Sequence, residues 1–201
     1  MAEERTLGRT LPVGKTGHRT PGFWGVLALI ATEGAVFAYL FFSYFYLLSQ
    51  STTPWPPSGP PPMQYAIPTT IALLVSAAAL WWAQRSIRLA RRGQMMLALA
   101  IAALLGIVYL ILQLLDWNAE PFLLQEGAYA SLFYTITGFH LLHAAVGVLI
   151  LATMILWSGL GHITGERYIA IDVAALYWYF VVVVWIAVFI TFYVLPWITP
   201  A

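Results

Sequence analysis

The sequence predicts an all-α, polytopic membrane bundle of five transmembrane helices, with the N-terminus inside and the C-terminus outside. Three observations support this fold class. Of the 201 residues, 61% are hydrophobic and only 8% are charged, whereas a soluble domain has about 25% charged residues. Five apolar segments each reach the length of about 20 residues that crosses a bilayer. Finally, the basic residues collect on one side of the membrane when the chain crosses it five times.

The five segments are continuously apolar and do not alternate in polarity, which favours helices over barrel strands. We predict helices at about 23–48, 66–84, 95–115, 129–157 and 172–195. The first segment is too long and too aromatic for a signal-peptide core, so we expect it to be retained as a helix. Residues 1–22 are then a cytoplasmic N-terminal tail, and residues 23–197 form the five-helix transmembrane domain.

Basic residues set the predicted orientation of the bundle. All nine Lys and Arg residues fall on one side of the membrane. They are Arg5, Arg9, Lys15 and Arg19 in the tail, Arg85, Arg88, Arg91 and Arg92 in the second loop, and Arg167 in the fourth. The opposite loops carry only Asp116, Glu120 and Glu126 as charged side chains. The positive-inside rule therefore places the N-terminus inside and the C-terminus outside.

Composition also excludes several classes of site. The chain has no cysteine, which excludes disulfides, thiolate metal sites and c-type haem attachment. Its net charge of +1 gives no electrostatic argument for binding nucleic acid. The proline-rich stretch at 51–62, "STTPWPPSGPPP", is expected to be an extended spacer between two helices.

Three ionisable side chains lie deep in the predicted membrane. Glu33 is ten residues into the first helix, which at 1.5 Å per residue is about 15 Å from the inner edge. His140, in the stretch "TGFHLLHAAVGVL", is about 15 Å deep from the outer side, and His143 is one turn further along. The acid and the two imidazoles thus reach one level on different helices. An ionised acid at that depth costs about 2.5–3.5 kcal/mol, so we expect it to have a partner.

The spacing of the histidines indicates which face of the fourth helix packs inward. His140, His143, Ala144 and Gly147 share one stripe, and small residues beside polar ones are typical of helix–helix contacts. Our hypothesis is that Glu33 pairs with His143 or His140 across a helix interface. The pair is then either a structural hydrogen bond or a protonatable site.

A redox centre within the chain is not expected. The remaining histidines, His18 and His162, lie in the tail and an inner loop, so a second axial haem ligand is missing. A di-iron site needs several buried carboxylates, and only Glu33 is deep. A single metal on Glu33 and the two motif histidines is the one alternative. Further polar contacts near helix ends are expected from Gln113, Asp116, Asp172 and Tyr179.

At this point the residues resemble a known family. The stretch "TGFHLLHAAVG" resembles the signature helix of subunit III of the haem–copper oxidases, which reads approximately GFHGxHVxxG. Other stretches agree with the same family in order: "ATEGAVFAYLFFSYFY", "WPPSGPPP", "LLQLLDWNAEPFLLQEGAYASLFYTITGFH" and "IDVAALYWYFVVVVWIAVFITFY". The resemblance covers about residues 22–197, and the chain is similar to the five-helix form that lacks the first two helices of longer members.

The resemblance implies an accessory, non-catalytic subunit of an oxidoreductase complex that also translocates protons. Such a subunit carries no haem or copper of its own and docks on the catalytic subunit I, with subunit II in the same complex. The oxidase passes electrons from cytochrome c or quinol to oxygen. The family implies bound phospholipid, support of assembly and sustained turnover, and proton delivery, with Glu33 as its buried acid and His140 and His143 as its motif histidines. The expected location is the bacterial cytoplasmic (inner) membrane.

Some positions depart from the family pattern and leave alternatives open. The last helix commonly reads Trp-His-Phe-Val-Asp-Val-Val-Trp, but here Tyr179 replaces the histidine and Val182 the aspartate. Thr69 and Thr70 stand where Asn-Thr is usual. A divergent quinol oxidase and the accessory subunit of a nitric oxide reductase are therefore alternatives. A small transporter or lipid-binding membrane protein is a further class, but transport predicts broken helices and several buried charges.

Overall fold

The computed structural model describes residues 21–163 and 168–198. Its helices are α1 (Pro21–Gln50), α2 (Met63–Arg88), α3 (Arg92–Ala119), α4 (Ala128–Gly159) and α5 (Ile169–Phe189), followed by a π-helical turn (Ile190–Val194) and a short α6 (Leu195–Ile198). The described residues contain no strand, so the all-α prediction is confirmed. Most of the N-terminal tail, with His18, and Arg167 in the fourth loop lie outside the described residues.

Five helices are long and apolar enough to cross a membrane, as the sequence predicts, counting α5 with its extension to Ile198 as one. They contain 26 to 32 residues, which corresponds to about 39–48 Å at 1.5 Å per residue. A hydrocarbon core of about 30 Å needs less than this. The helices are therefore long enough to tilt or to extend into the headgroup region, and each begins and ends beyond its predicted apolar segment.

Contacts between helix termini define two ends of the bundle. We call one the basic end, where Arg88 near the end of α2 meets Asp172 at the start of α5. We call the other the acidic end, where Asp116 near the end of α3 meets Tyr193 in the π-helical turn. The basic end contains Arg85, Arg88, Arg91 and Arg92, and the acidic end contains Asp116, Glu120 and Glu126. The described arginines therefore collect at one end, where Asp172 pairs with one of them, and the other end carries only acidic groups among the described residues.

Helix α1 lies at the periphery. The other helices pack closely, with α2 against α3 as the most extensive pair, whereas α1 packs mainly on α4 and α5. Only 6% of the residues in its most apolar stretch are buried. Its outward surface is rich in aromatic side chains: Trp24, Tyr39, Phe42, Phe45 and Tyr46. Few contacts thus hold α1, and each polar contact on its inner face matters more.

The centre of the bundle is built around Trp178 of α5, which is wholly buried. Its indole ring lies against two glycines, Gly106 of α3 and Gly147 of α4, where a Cβ would come within 2.8 Å and 2.6 Å of ring carbons. The indole Nε1–H donates to the Ser76 hydroxyl of α2 at 2.9 Å, and that hydroxyl donates to the Ala102 carbonyl of α3 at 3.0 Å. One side chain thus contacts three other helices, and its only polar atom is satisfied.

A second tryptophan ties α5 to α2. The buried Trp185 donates its Nε1–H to the Thr70 hydroxyl at 2.9 Å. That hydroxyl donates in turn to the Ala66 carbonyl at 2.8 Å within α2. Thr70, which stands at the threonine of the family's usual Asn-Thr pair, therefore takes part in helix packing.

We predict that Gly147→Ala destabilises the bundle by about 1–3 kcal/mol, because the new methyl group overlaps a buried ring that has no room to move. Gly138→Ala on the same helix is the matched control, since its Cβ would come no closer than 3.7 Å to any atom. Removing a glycine from a helix interior otherwise stabilises it by up to about 1 kcal/mol. Unfolding of the two purified variants in detergent measures the difference, and equal stability would contradict the central role of Trp178.

Candidate functional site

The buried histidine of the motif is fully engaged by its neighbours. His140 is wholly buried. Its Nε2 lies 2.9 Å from the Val181 carbonyl of α5, and its Nδ1 lies 2.6 Å from the Tyr109 hydroxyl of α3. A carbonyl only accepts, so Nε2 carries the hydrogen and Nδ1 accepts from the tyrosine. His140 is therefore a neutral crosslink between α3, α4 and α5, and both ring nitrogens are occupied.

The second motif histidine contacts the intramembrane acid. His143 Nε2 lies 3.1 Å from Glu33 Oε2, which joins α4 to α1. His143 Nδ1 lies 2.6 Å from the Phe139 carbonyl on its own helix. The Tyr177 hydroxyl donates to the His143 carbonyl at 3.1 Å and adds α5 to the group. Of the two histidines, the structure brings only His143 to Glu33.

The hydrogen-bond pattern fixes how many protons this pair carries. Because the Phe139 carbonyl only accepts, His143 Nδ1 carries a hydrogen. The 3.1 Å contact then contains one more proton, either on the Glu33 carboxyl or on His143 Nε2. The first arrangement is a neutral acid–imidazole pair and the second an ion pair. Both arrangements contain the same number of protons. Moving one proton across the single hydrogen bond between Glu33 and His143 therefore converts the neutral pair into the ion pair.

The pair lies at the edge of the bundle. The Glu33 side chain is 30% exposed and that of His143 is 12% exposed. Phe37 and Phe180 contact the His143 ring from two sides, with ring centroids 5.2 Å and 6.5 Å away. Glu33 is therefore half-buried, because α1 is peripheral. The acid is closed off from the bundle interior but open to the surface between α1 and α4.

The two motif histidines do not form a metal site with the acid. His140 uses both ring nitrogens on Tyr109 and Val181, and His162 is exposed in the loop after α4. Across residues 21–163 and 168–198, no three His, Cys, Asp or Glu side chains group together as metal ligands. The alternative metal set of the sequence analysis therefore lacks one of its three ligands.

The basic end contains a polar network between α2 and α5. Asp172 accepts from Arg88 Nη2 at 3.2 Å on both carboxylate oxygens and from Gln84 Nε2 at 2.7 Å. Gln84 Oε1 in turn accepts from the Tyr179 hydroxyl at 2.8 Å. Tyr179 lies two turns deeper in α5 than Asp172, so it belongs to the helix interior more than to its end. Its hydroxyl makes a polar link from the position of the family's histidine, and Val182 packs in the apolar core.

The acidic end buries Gln113 and Asp116, which the sequence analysis expected at a helix end. Asp116 Oδ2 accepts from the Tyr193 hydroxyl and from Gln113 Nε2 at 3.3 Å. Sequence reasoning missed Tyr193 and Tyr109. Tyr109 lies one helical turn before Gln113 on α3, at the predicted depth of the two motif histidines. A tyrosine hydroxyl at that depth could have been recognised as a hydrogen-bond partner for one of them. Tyr193 carried no such signal, because aromatic residues recur along the last span and nothing marks this one among them.

Comparison with known proteins agrees with this arrangement. Residues 7–197 match the family described as cytochrome c oxidase subunit III. The chain is 36% identical over 191 residues to cytochrome c oxidase subunit 3 of Cyprinus carpio, which covers 88% of this chain and 72% of the carp protein. The protein of the same name from Danio rerio is 35% identical over 191 residues, and that from Homo sapiens 34% over 190, each with the same two coverages.

The match extends across all five long helices, so it includes both motif histidines, Glu33 and the Trp178 core. Identity above 30% over most of each chain is too extensive to reflect shared hydrophobicity alone. The chain belongs to the cytochrome c oxidase subunit III family.

Proposed function

We propose that this protein is the redox-inactive accessory subunit III of a proton-pumping haem–copper oxidase. In this role it binds the catalytic subunit I, with subunit II in the same complex, and the electrons pass through those partners. Membership of the subunit III family is the observation that carries the proposal. The exposed aromatic surface of α1 supplies an apolar face of the kind that a membrane partner or lipid covers.

We propose two roles for the Glu33–His143 pair. It holds α1 on the bundle, and it binds one exchangeable proton near subunit I. Its 3.1 Å contact is the one described ion pair between α1 and the rest of the chain. Because the proton can sit on either group, the pair can give up or take a proton without a large movement of the helices. Assembly and sustained turnover are the two functions that such a pair supports.

Glu33→Gln separates these two tasks. Glutamine keeps a side-chain donor for His143 Nε2 but removes the exchangeable proton, so we expect a normally assembled complex whose activity declines several-fold faster during turnover. His143→Ala leaves the acid without its imidazole at a cost of about 1–3 kcal/mol, so we expect weaker assembly as well. Oxygen consumption over time and subunit content of the purified complex measure the two effects.

Thr32→Ala is the matched control for these variants. Thr32 precedes Glu33 on α1, and its hydroxyl only bonds the Leu29 carbonyl on its own helix. The haem spectrum should be unchanged in all three variants. If the activity of Glu33→Gln declines no faster than that of the wild type during turnover, the pair has only a structural role. If His143→Ala also assembles normally, the pair does not have that role either.

Purification of the native complex tests the proposed partners. We expect a partner that contains haem and copper in the optical spectrum and metal analysis. A partner with haem and non-haem iron would instead identify a nitric oxide reductase. A chain that purifies alone would contradict the accessory role.

Placement in a bacterial cytoplasmic membrane with the basic end inside stays a prediction. A Ser58→Cys variant checks the orientation, because Ser58 lies in the loop between α1 and α2. We expect a thiol reagent that does not cross the membrane to label this variant from the outside.

Bound phospholipid is part of the proposal, and the basic end offers a place for its headgroup. A cleft there is lined by Trp81, Gln84, Arg85, Arg88 and Leu89. Two guanidinium groups beside an exposed indole combine charge for an anionic headgroup with apolar contact for the chains.

We predict that Arg85→Gln reduces the anionic phospholipid retained by the purified complex, measured by native mass spectrometry. Arg85 is the better test, because Arg88 is engaged by Asp172. Arg91→Gln is the control, since Arg91 is exposed and does not line the cleft. Equal retention in both variants would place the lipid elsewhere.

A further inference from the structure

The acidic end contains a group of buried polar atoms whose hydrogen-bonding capacity is unused. Within the described residues these atoms have no partner: Trp55 Nε1, Gln113 Oε1, Asp116 Oδ1, both carboxyl oxygens of Glu120 and the Tyr129 hydroxyl. Buried polar groups are nearly always satisfied, so each exception needs an explanation such as an ordered water or an ion. In the part of the chain that the structure describes, the one other buried side-chain atom without a partner is the Ser158 hydroxyl at the basic end.

One carboxylate oxygen of Asp116 is hydrogen-bonded and the other is not. Asp116 is 2% exposed. Its Oδ2 accepts from Tyr193 and from Gln113 Nε2. Its Oδ1 remains open. Gln113, 1% exposed, directs its amide at the same carboxylate and still has an open carbonyl oxygen.

Glu120 faces the same group from the end of α3. It follows Asp116 by four residues, which is one helical turn. The described ion pairs are Arg88–Asp172 and His143–Glu33, so among these residues no cation pairs with Asp116 or Glu120. Burial, and then the charge of Asp116, raise the pKa of Glu120 to about 7. Two carboxyl groups whose charges interact in a low-dielectric site do not both ionise readily.

Aromatic rings pack together at this end of the bundle. Trp55, in the proline-rich loop, contacts Tyr129 with ring centroids 5.4 Å apart and Tyr44 at 5.8 Å. Phe122 contacts Tyr129 at 5.6 Å. Tyr129 is 2% exposed, and its hydroxyl lies close enough to Glu120 and Asp116 to respond to their charge. The loop between α1 and α2 thus closes the acidic end over polar atoms.

We propose that Gln113, Asp116, Glu120 and Tyr129, closed by Trp55, form a hydrated site that binds one exchangeable proton between the two carboxyl groups. We call it the acidic-end site. Water suits the unpartnered atoms because they include carboxyl and amide oxygens that accept and the Tyr129 hydroxyl, which can donate. A water can accept from the hydroxyl and donate to the oxygens. The site is separate from the Glu33–His143 pair.

The chemistry is a single reversible proton transfer. The Glu120 carboxyl group releases its proton to an ordered water and becomes a carboxylate, and it regains a proton by the reverse step. The titratable groups that interact with it are Asp116 of α3, Tyr129 and Tyr134 of α4, and Tyr193 of the π-helical turn. Tyr44, Tyr109 and Glu126 interact with Tyr129, Tyr193 and Tyr134 rather than with Glu120 itself. No electron acceptor or leaving group is required.

Infrared difference spectroscopy of the full complex at stepped pH tests the proposal. We expect the band of a protonated carboxyl group to disappear as the pH rises through about 7. Glu120→Gln should remove that band. Asp116→Asn should move its midpoint to lower pH, because the neighbouring negative charge is gone. Glu126→Gln is the matched control, since Glu126 is exposed six residues further on and should leave the band unchanged.

Three outcomes would overturn the proposal: no carboxyl band titrating near neutral pH in the wild type, a titration that persists in Glu120→Gln, or a band that appears only after divalent cations are chelated. The last would assign the site to a bound cation. Because the wild-type spectrum is itself a test, a variant that fails to fold does not decide the question.

The pH dependence of stability gives a second measurement. The ordinary pKa of Glu120 is 4.5 and the folded value is about 7, so the folded state binds the proton more tightly than the unfolded state. The stabilising contribution of this group is complete below pH 4.5 and is lost as the pH rises through about 7. We therefore expect the unfolding temperature of the wild type to fall relative to Glu120→Gln across this range, and parallel curves would contradict it.

Discussion

The insertion of Trp178 between Gly106 and Gly147 is the contact on which the rest of the bundle depends. In lipid there is little hydrophobic drive between helices, so close packing and hydrogen bonds must hold them together. The two glycines let the indole ring approach within van der Waals distance of two helix backbones. Its N–H bonds Ser76 on a third helix. The relative rotations of α2, α3, α4 and α5 are therefore fixed around one rigid side chain.

These rotations decide what each polar side chain does. Turning Gly147 toward Trp178 also turns His140 inward, where Tyr109 and the Val181 carbonyl hold it as a neutral crosslink. His143, a turn away at the edge of the same stripe, reaches Glu33 on α1. One motif thus supplies a fixed hydrogen bond in the interior and a proton-sharing pair at the surface. The difference between them is solvent and lipid access, since both are imidazoles on one helix.

Acidic side chains have different partners at the two ends of the bundle. At the basic end, Asp172 is paired with Arg88 and hydrogen-bonded by Gln84. At the acidic end, Asp116 and Glu120 have hydroxyl and amide neighbours but no cation among the described residues. A buried carboxylate without a counter-charge is costly, and binding a proton relieves that cost. This distribution of charge thus produces one structural acid and one pair suited to proton binding.

The sequence by itself determined the five membrane spans and the common level of Glu33, His140 and His143, because apolar length and the 1.5 Å rise per residue are local properties. It also contained the histidine motif that identified the family. Only the tertiary structure decided that Glu33 pairs with His143, that Tyr109 satisfies His140, and that Trp55 packs on Tyr129. Which side chains meet depends on helix rotation and on the path of a loop. Both are set by packing between segments far apart in the chain, which no local pattern records.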